Sequence, residues 1–557
     1  MDLLPFEKEN LRVNWQSIVN AFLISWLIID LTMVFDASSR DVWYIDIDRF
    51  TVGRILIFIG VFIVTYLILS AVEIFCLEER ILSFIKSPIV TVVLACQCFR
   101  DWYYAHFSNY VIYYDTASYL DNYAGDILGG KVDAFRTPVY PYFLKLLSSF
   151  SKKELDVYPI AVFLQMVISL ASVIILYFAL KQILKNKYLI SAVCLVYGCA
   201  PAIISWDLCV LTESLSLAST ALLLFFVLRY LKRPSYTLAI TIGLYSFYML
   251  MLRPTFIYLF VLFGVFFICR FFLSKFDRRQ TIAGLIAIAF SGCLTLGYCF
   301  MNYNTNGYFG ISSVGTDVNQ LYIVMQNGYT HNPKYPDVTQ YIETEMQYAE
   351  GMTNYHGDYY VDVIIPGAAK KFGYAKVEKY VNSCIDLNKA KYNNYTVNKF
   401  INEMNTPLAS QYSTMRRDWE FSKIDSTLMN LATPYTYLTG FITVAIALIY
   451  VFILLFKYKR VAWQSLGLSA FVFTHLFVSI YGSMAEYSRL SVMAIPALMI
   501  LTAYFIDLML SSAGKTERTV AIGSTSVELF ETEYKPDDAD EYIEIEISDD
   551  DDFRIVF

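Results

Sequence analysis

Repeated apolar runs long enough to cross a bilayer constrain this chain most. A helix needs about 20 mostly apolar residues to span the hydrocarbon core. Such runs recur at 15–35, 53–76, 158–181, 188–206, 209–230, 236–252, 255–273, 280–302, 433–456, 463–482 and 489–510. A weaker run at 82–104 has a clean core only from Ser87 to Phe99, followed at once by Arg100 and Asp101. Counting it, the sequence predicts an all-α polytopic membrane protein with about 12 transmembrane helices. Composition agrees: hydrophobic residues make up 57% and charged residues 17%, against about 45–50% and about 25% in soluble domains. Nothing marks the chain as a nucleic-acid binder.

The net charge of −7 hides two regions of opposite sign. Between Glu528 and Arg554 there are 13 acidic residues and two basic ones, a local charge of −11. The rest of the chain is therefore near +4. Basic residues collect in alternate loops: Lys181, Lys185 and Lys187; Arg229, Lys232 and Arg233; Arg270, Lys275, Arg278 and Arg279; Lys457, Lys459 and Arg460; Lys515 and Arg518. The positive-inside rule puts these loops and both termini in the cytoplasm. The loop at 105–157 carries five Lys and Arg yet falls outside by parity, and long loops follow the rule poorly.

Five regions follow: a two-helix addition at 1–80, a transmembrane core at 81–302, an extracytoplasmic, mostly helical domain at 303–432, closing helices at 433–510 and an acidic cytoplasmic tail at 511–557. Helical stretches are expected at Asp317 to Gln326 and Ala375 to Met404. The tail reads as a solvated segment, although Glu541–Ile547 alternates like a strand and could dock.

This topology gathers polar residues at the outer face. Asp115, Arg136, Asp207, Glu213, Arg253, Glu486 and Arg489 all fall at outer helix ends or in outer loops. A carboxylate can take a proton from a hydroxyl, and arginine can grip a phosphate through two parallel hydrogen bonds. Each residue also has a plainer role. Asp115 could cap a helix, and Glu213 could answer a helix dipole. Arg136 and Arg253 could be interfacial anchors, and Arg489 could pair with Glu486. His475 reads as a hydrogen-bonded packing residue. The four histidines show no metal-ligand spacing, so no obligatory metal or other cofactor is expected.

The first outer loop reads Tyr114-Asp115-Thr116-Ala117-Ser118-Tyr119, then Gly129-Gly130, then Arg136-Thr137-Pro138-Val139-Tyr140-Pro141. It resembles the first extracytoplasmic loop of GT-C fold glycosyltransferases, in the bacterial branch near protein O-mannosyltransferases and the lipid A aminoarabinose transferase. Leu211-Thr212-Glu213, Leu252-Arg253-Pro254-Thr255 and Glu486-Tyr487-Ser488-Arg489 resemble further pieces of the same families. The resemblance covers roughly residues 80–300 well, the last helices loosely and the outer domain hardly at all. It implies a GT-C-like fold, a polyprenyl-phosphate-linked sugar donor, and a glycan, lipid or protein acceptor. It also implies catalytic roles for Asp115 and Glu213, donor-phosphate binding by Arg136, Arg253 and Arg489, and a bacterial plasma membrane. One departure matters. Protein O-mannosyltransferases carry Asp-Glu in this loop, whereas Thr116 follows Asp115 here, which argues against the protein-mannosylating subgroup. The alternatives are a lipid-linked oligosaccharide polymerase or ligase, and a membrane transporter or flippase.

Overall fold

The computed structural model describes residues 15–40, 51–75, 87–105, 114–122, 127, 129–150, 157–273, 277–352, 359–407, 423–432, 438–456, 460–482, 487–521, 542–547 and 553–556. Helices dominate it. In chain order they are α1 (Trp15–Arg40), α2 (Val52–Phe75), α3 (Pro88–Ala105), α4 (Tyr114–Asn122), α5 (Val139–Ser148), α6 (Val157–Ile183) and α7 (Lys187–Gly198). There follow α8 (Glu213–Lys232), α9 (Tyr236–Leu252), α10 (Tyr258–Leu273) and α11 (Arg278–Asn306). The segment after α11 adds α12 (Leu321–Gln326), α13 (Pro336–Met352), α14 (Ile365–Phe372), α15 (Tyr374–Leu387), α16 (Lys389–Asn405) and α17 (Lys423–Leu431). The chain closes with α18 (Gly440–Phe456), α19 (Trp463–Gly482) and α20 (Ile495–Ala521).

Among the described residues eight helices are long and apolar enough to cross a membrane, or nine if one bent pair counts as a span. The expected figure of about 12 is not reached on that measure, and local chemistry gives the reasons. Helix α9 has 17 residues, about 26 Å at 1.5 Å per residue, and stops at Arg253. Pro254 forces this stop, because a residue before proline is driven out of the helical region; Arg253 has φ −147° and ψ 130°. The bent pair, α7 with Pro201–Leu208, turns by 48° where Ala200 is extended ahead of Pro201. Helix α3 has 18 residues but carries Arg100 and Asp101. Helix α18 is apolar but falls in the shorter class.

One large core joins α3, α6, α7, α8, α9, α10, α19 and α20. Close helix approach depends on small residues. Gly243 on α9 faces Ala287 on α11, where an added Cβ would lie 2.5 Å from the Ala287 Cβ and 2.9 Å from its carbonyl carbon. The Ser291 hydroxyl donates to the Gly243 carbonyl at 2.9 Å across the same contact. Gly243→Ala must push these helices apart. It is expected to destabilise the protein by about 1–3 kcal/mol, the usual range for overpacking. Gly264→Ala, where nothing lies within 4 Å, is expected to leave the unfolding midpoint in detergent unchanged or raised. Equal midpoints for the two variants would show that the contact yields freely.

The segment between α11 and α18 has a second core of its own, built from Val318, Leu321, Val338, Ile342, Val377, Tyr380 and neighbours. Its root straps the segment from Gly130 to Phe135. Thr305 and Asn306 donate side-chain hydrogen bonds to the carbonyls of Gly130 and Val132, at 3.2 and 2.9 Å. The Ser313 amide and the Ser312 hydroxyl donate to Ala134 and Phe135, at 2.8 and 2.6 Å. These four bonds hold the run leading into Arg136. Three short strands form an antiparallel sheet in which Arg460–Ala462 pairs with Tyr542–Ile547, and the latter with Phe553–Val556. The alternating tail segment is thus paired as a strand over Tyr542–Ile547.

Candidate active site

Asp115 sits in the first turn of α4. The Thr116 hydroxyl pins this helix by donating to the Val210 carbonyl at 3.2 Å, three residues before Glu213. Tyr119 packs edge-on against Tyr140 with ring centroids 5.0 Å apart. The Tyr140 hydroxyl donates to the Gln165 amide oxygen at 2.8 Å. The Gln165 amide nitrogen in turn donates to the carbonyls of Asp207 and Cys209, at 3.1 and 2.6 Å. A buried glutamine on α6 thereby fixes both the loop helix and the segment entering α8.

Two turns marked by proline meet beside it. The Asp133 carboxylate accepts from the Phe135 and Arg136 amides at 2.7 and 2.5 Å, a local turn that aspartate favours. The Thr137 hydroxyl donates to the Leu252 carbonyl at 3.3 Å, which joins the Arg136-Thr137-Pro138 turn to the Leu252-Arg253-Pro254 turn. The Arg136 guanidinium lies over the Tyr119 and Phe135 rings, 4.4 and 4.6 Å from their centroids. It donates to the Ser118 hydroxyl at 2.8 Å and to Asp115 Oδ1 at 2.7 Å.

Arg489 bridges the two acids. Its Nη2 donates to Asp115 Oδ2 at 3.0 Å, and its Nε donates to Glu213 Oε1 at 2.5 Å. Arg253 Nη1 lies 3.2 Å from the same Glu213 oxygen. The result is one linked chain, Arg136–Asp115–Arg489–Glu213–Arg253. Arg489 is positioned through its neighbour: His475 Nε2 donates to the Leu490 carbonyl at 3.0 Å, leaving Nδ1 to accept from the Tyr258 hydroxyl at 2.9 Å.

The network contains three guanidinium groups and two carboxylates. Glu213 is fully buried, whereas the Asp115 side chain is 30% exposed and forms the open end. Burial works to raise the Asp115 carboxyl, but Arg136 and then Arg489 outweigh it and hold the group well below the usual carboxylate range. A depressed carboxyl contributes stability above its unfolded pKa of about 4, and that contribution is lost as pH falls through the folded value. Asp115 is thus ionised across the physiological range. With both oxygens held by arginine it is also a weak base. A phosphate drawing those arginines away would make it a stronger one.

All five residues singled out by the sequence for catalysis and phosphate binding fall in this network. Asp207 does not. It accepts from the Tyr104 and Ser214 hydroxyls, each at 2.6 Å, and lies 3.6 Å from Arg100. Glu486 lies outside the described residues, and Arg489 meets Glu213 and Asp115 among the described ones. Sequence reasoning missed the part played by Ser118 and Tyr119. They stand three and four residues after Asp115, the spacing that shares a helix face, once the loop is read as helical. Among the described residues no group of three or more His, Cys, Asp and Glu is placed to hold a metal ion.

No family model matches the chain. No curated protein matches it in sequence. Among solved structures it is similar to the archaeal oligosaccharyltransferase AglB from Archaeoglobus fulgidus in complex with an inhibitory peptide and a dolichol-phosphate: 12% identity over 79% of this chain and 52% of that one, TM-score 0.42. It is likewise similar to the Archaeoglobus fulgidus oligosaccharyltransferase in the apo form: 12% identity, 80% of this chain and 53% of that one, TM-score 0.41. The chain spans about half the length of these structures. Likeness at this level assigns neither a family nor an activity.

Proposed function

We propose that this chain is an integral-membrane glycosyltransferase of the GT-C type. It moves a sugar from a polyprenyl-phosphate donor to an extracytoplasmic glycan, lipid or protein acceptor, with inversion. The observation carrying this reading is the single network in which Arg136, Arg253 and Arg489 share the carboxylates of Asp115 and Glu213. Two buried guanidinium groups and a third that is half-buried, beside a partly open carboxylate, suit an anionic phosphate and a hydroxyl nucleophile together.

In this mechanism the donor phosphate draws Arg136 and Arg489 away from Asp115. The freed carboxylate takes the proton of the acceptor hydroxyl. The acceptor oxygen bonds to the anomeric carbon from the face opposite the phosphate, and the bond from that carbon to the phosphate oxygen breaks. The leaving polyprenyl phosphate gains one negative charge as Asp115 loses one, and the arginines offset the charge growing on the phosphate. Glu213 holds Arg253 and Arg489 in place. The outer segment at 303–432 covers the site, which faces the outside of a bacterial plasma membrane.

Membranes containing the protein, incubated with labelled sugars on polyprenyl monophosphate and separately with lipid-diphosphate oligosaccharides, test this reading. Transfer from the monophosphate donor is expected. Transfer from the diphosphate donor alone would replace it with the polymerase or ligase reading. Movement of lipid between leaflets without transfer would replace it with the flippase reading.

A further inference from the structure

A cavity of about 540 Å³ lies between the outer segment and the outer end of α19. That volume falls in the usual range for a small-molecule site, about 300–1,000 Å³. One wall is α16, where Tyr392, Tyr395 and Lys399 follow at i, i+3 and i+7 and so share a face. Tyr481 closes the opposite side. Asn319 and Gln320 enter from the π-helical turn Val314–Gln320, a geometry found often at functional sites. The Asn319 amide nitrogen donates to the Gly482 carbonyl, which ties that turn to the end of α19.

We infer that this cavity is a saccharide-binding site distinct from the arginine–carboxylate network. Three tyrosines offer flat apolar faces with polar tips, the surface that sugar rings need for their C–H faces and hydroxyls. Amide and ammonium groups beside them supply donors and acceptors. A lipid chain would leave these polar groups unanswered. An extended peptide would look for an unpaired strand edge, whereas helical walls satisfy their own backbone groups. Gly482, at the cavity's edge, is seven residues beyond His475, about 10 Å along α19, and His475 holds the Leu490 carbonyl next to Arg489. The inference does not depend on the chemistry of Asp115.

The test is binding of the full-length protein in detergent to an array of oligosaccharides, free and polyprenyl-linked, with a peptide array alongside. The wild type is expected to retain saccharides. Tyr395→Ala and Tyr481→Ala should each weaken binding by about tenfold, the scale of one lost aromatic contact. Tyr395→Phe, which keeps the ring, should bind within a few-fold of wild type. Asp115→Asn should retain free saccharides as the wild type does even where transfer is abolished, so failure of this inference and failure of the transfer reading are separable. Tyr481 is 69% exposed, so its replacement decides the matter even if Tyr395→Ala does not fold. Preference for free or polyprenyl-linked saccharides tells an acceptor glycan from the donor's own. Three results would overturn the inference: no saccharide retained, binding indifferent to both alanine variants, or peptides bound in its place with the same sensitivity.

Discussion

Asp115→Asn is expected to slow transfer by about 10²–10⁴-fold, the usual contribution of a general base. Donor binding should be unchanged or tighter. Asparagine keeps the size of the side chain but removes the negative charge that occupies Arg136 and Arg489, at 2.7 and 3.0 Å. Those guanidinium groups are then freer to meet a phosphate. A split between transfer and binding distinguishes a base from a structural acid, whose loss would harm both. The measurements are transfer of labelled sugar in membranes and donor affinity of the purified protein. Near-normal transfer by the variant would remove Asp115 from the base role. Weaker donor binding would show that its charge helps arrange the arginines for the phosphate.

The membrane architecture was legible because apolar runs report it directly, and each expected span from 15–35 to 489–510 coincides with a helix among the described residues. How many of these helices suffice alone to cross was not legible, since Pro201 and Pro254 shorten or bend their helices in ways that run length conceals. The site residues could be named from charges at outer helix ends, but their pairing could not. Arg489 and Asp115 are 374 positions apart. The same limit hid Arg100, which read as the end of a weak span. It meets Asp207 in a buried pair and donates to the Gly198 carbonyl at 2.9 Å. In the outer segment the stretch from Ala375 to Met404 read as one helix but divides at Asn388. The Asn388 side chain donates to the Cys384 carbonyl at 3.0 Å, a local bond that competes with helix continuation.

Glu213→Gln should be the most destabilising substitution in the network. Glu213 is fully buried and is the acid that both Arg253 and Arg489 contact. Glutamine matches its volume but removes the carboxylate that buried Arg253 and Arg489 share. Breaking a buried ion pair from one side costs about 3–5 kcal/mol, because the remaining charge stays buried and uncompensated. The unfolding midpoint in detergent should fall accordingly. The double variant Glu213→Gln with Arg253→Met should recover much of that loss, since replacing both partners removes the stranded charge. Its transfer should stay low, because Arg253 is gone from the phosphate site. Adding a polyprenyl phosphate should stabilise Glu213→Gln more than wild type, because the ligand supplies the missing anion to Arg253 and Arg489. If Glu213→Gln instead unfolds at the wild-type midpoint and gains nothing from the lipid phosphate, the arginines are balanced by some other group. The network would then not be an anion site held ready by its own acids.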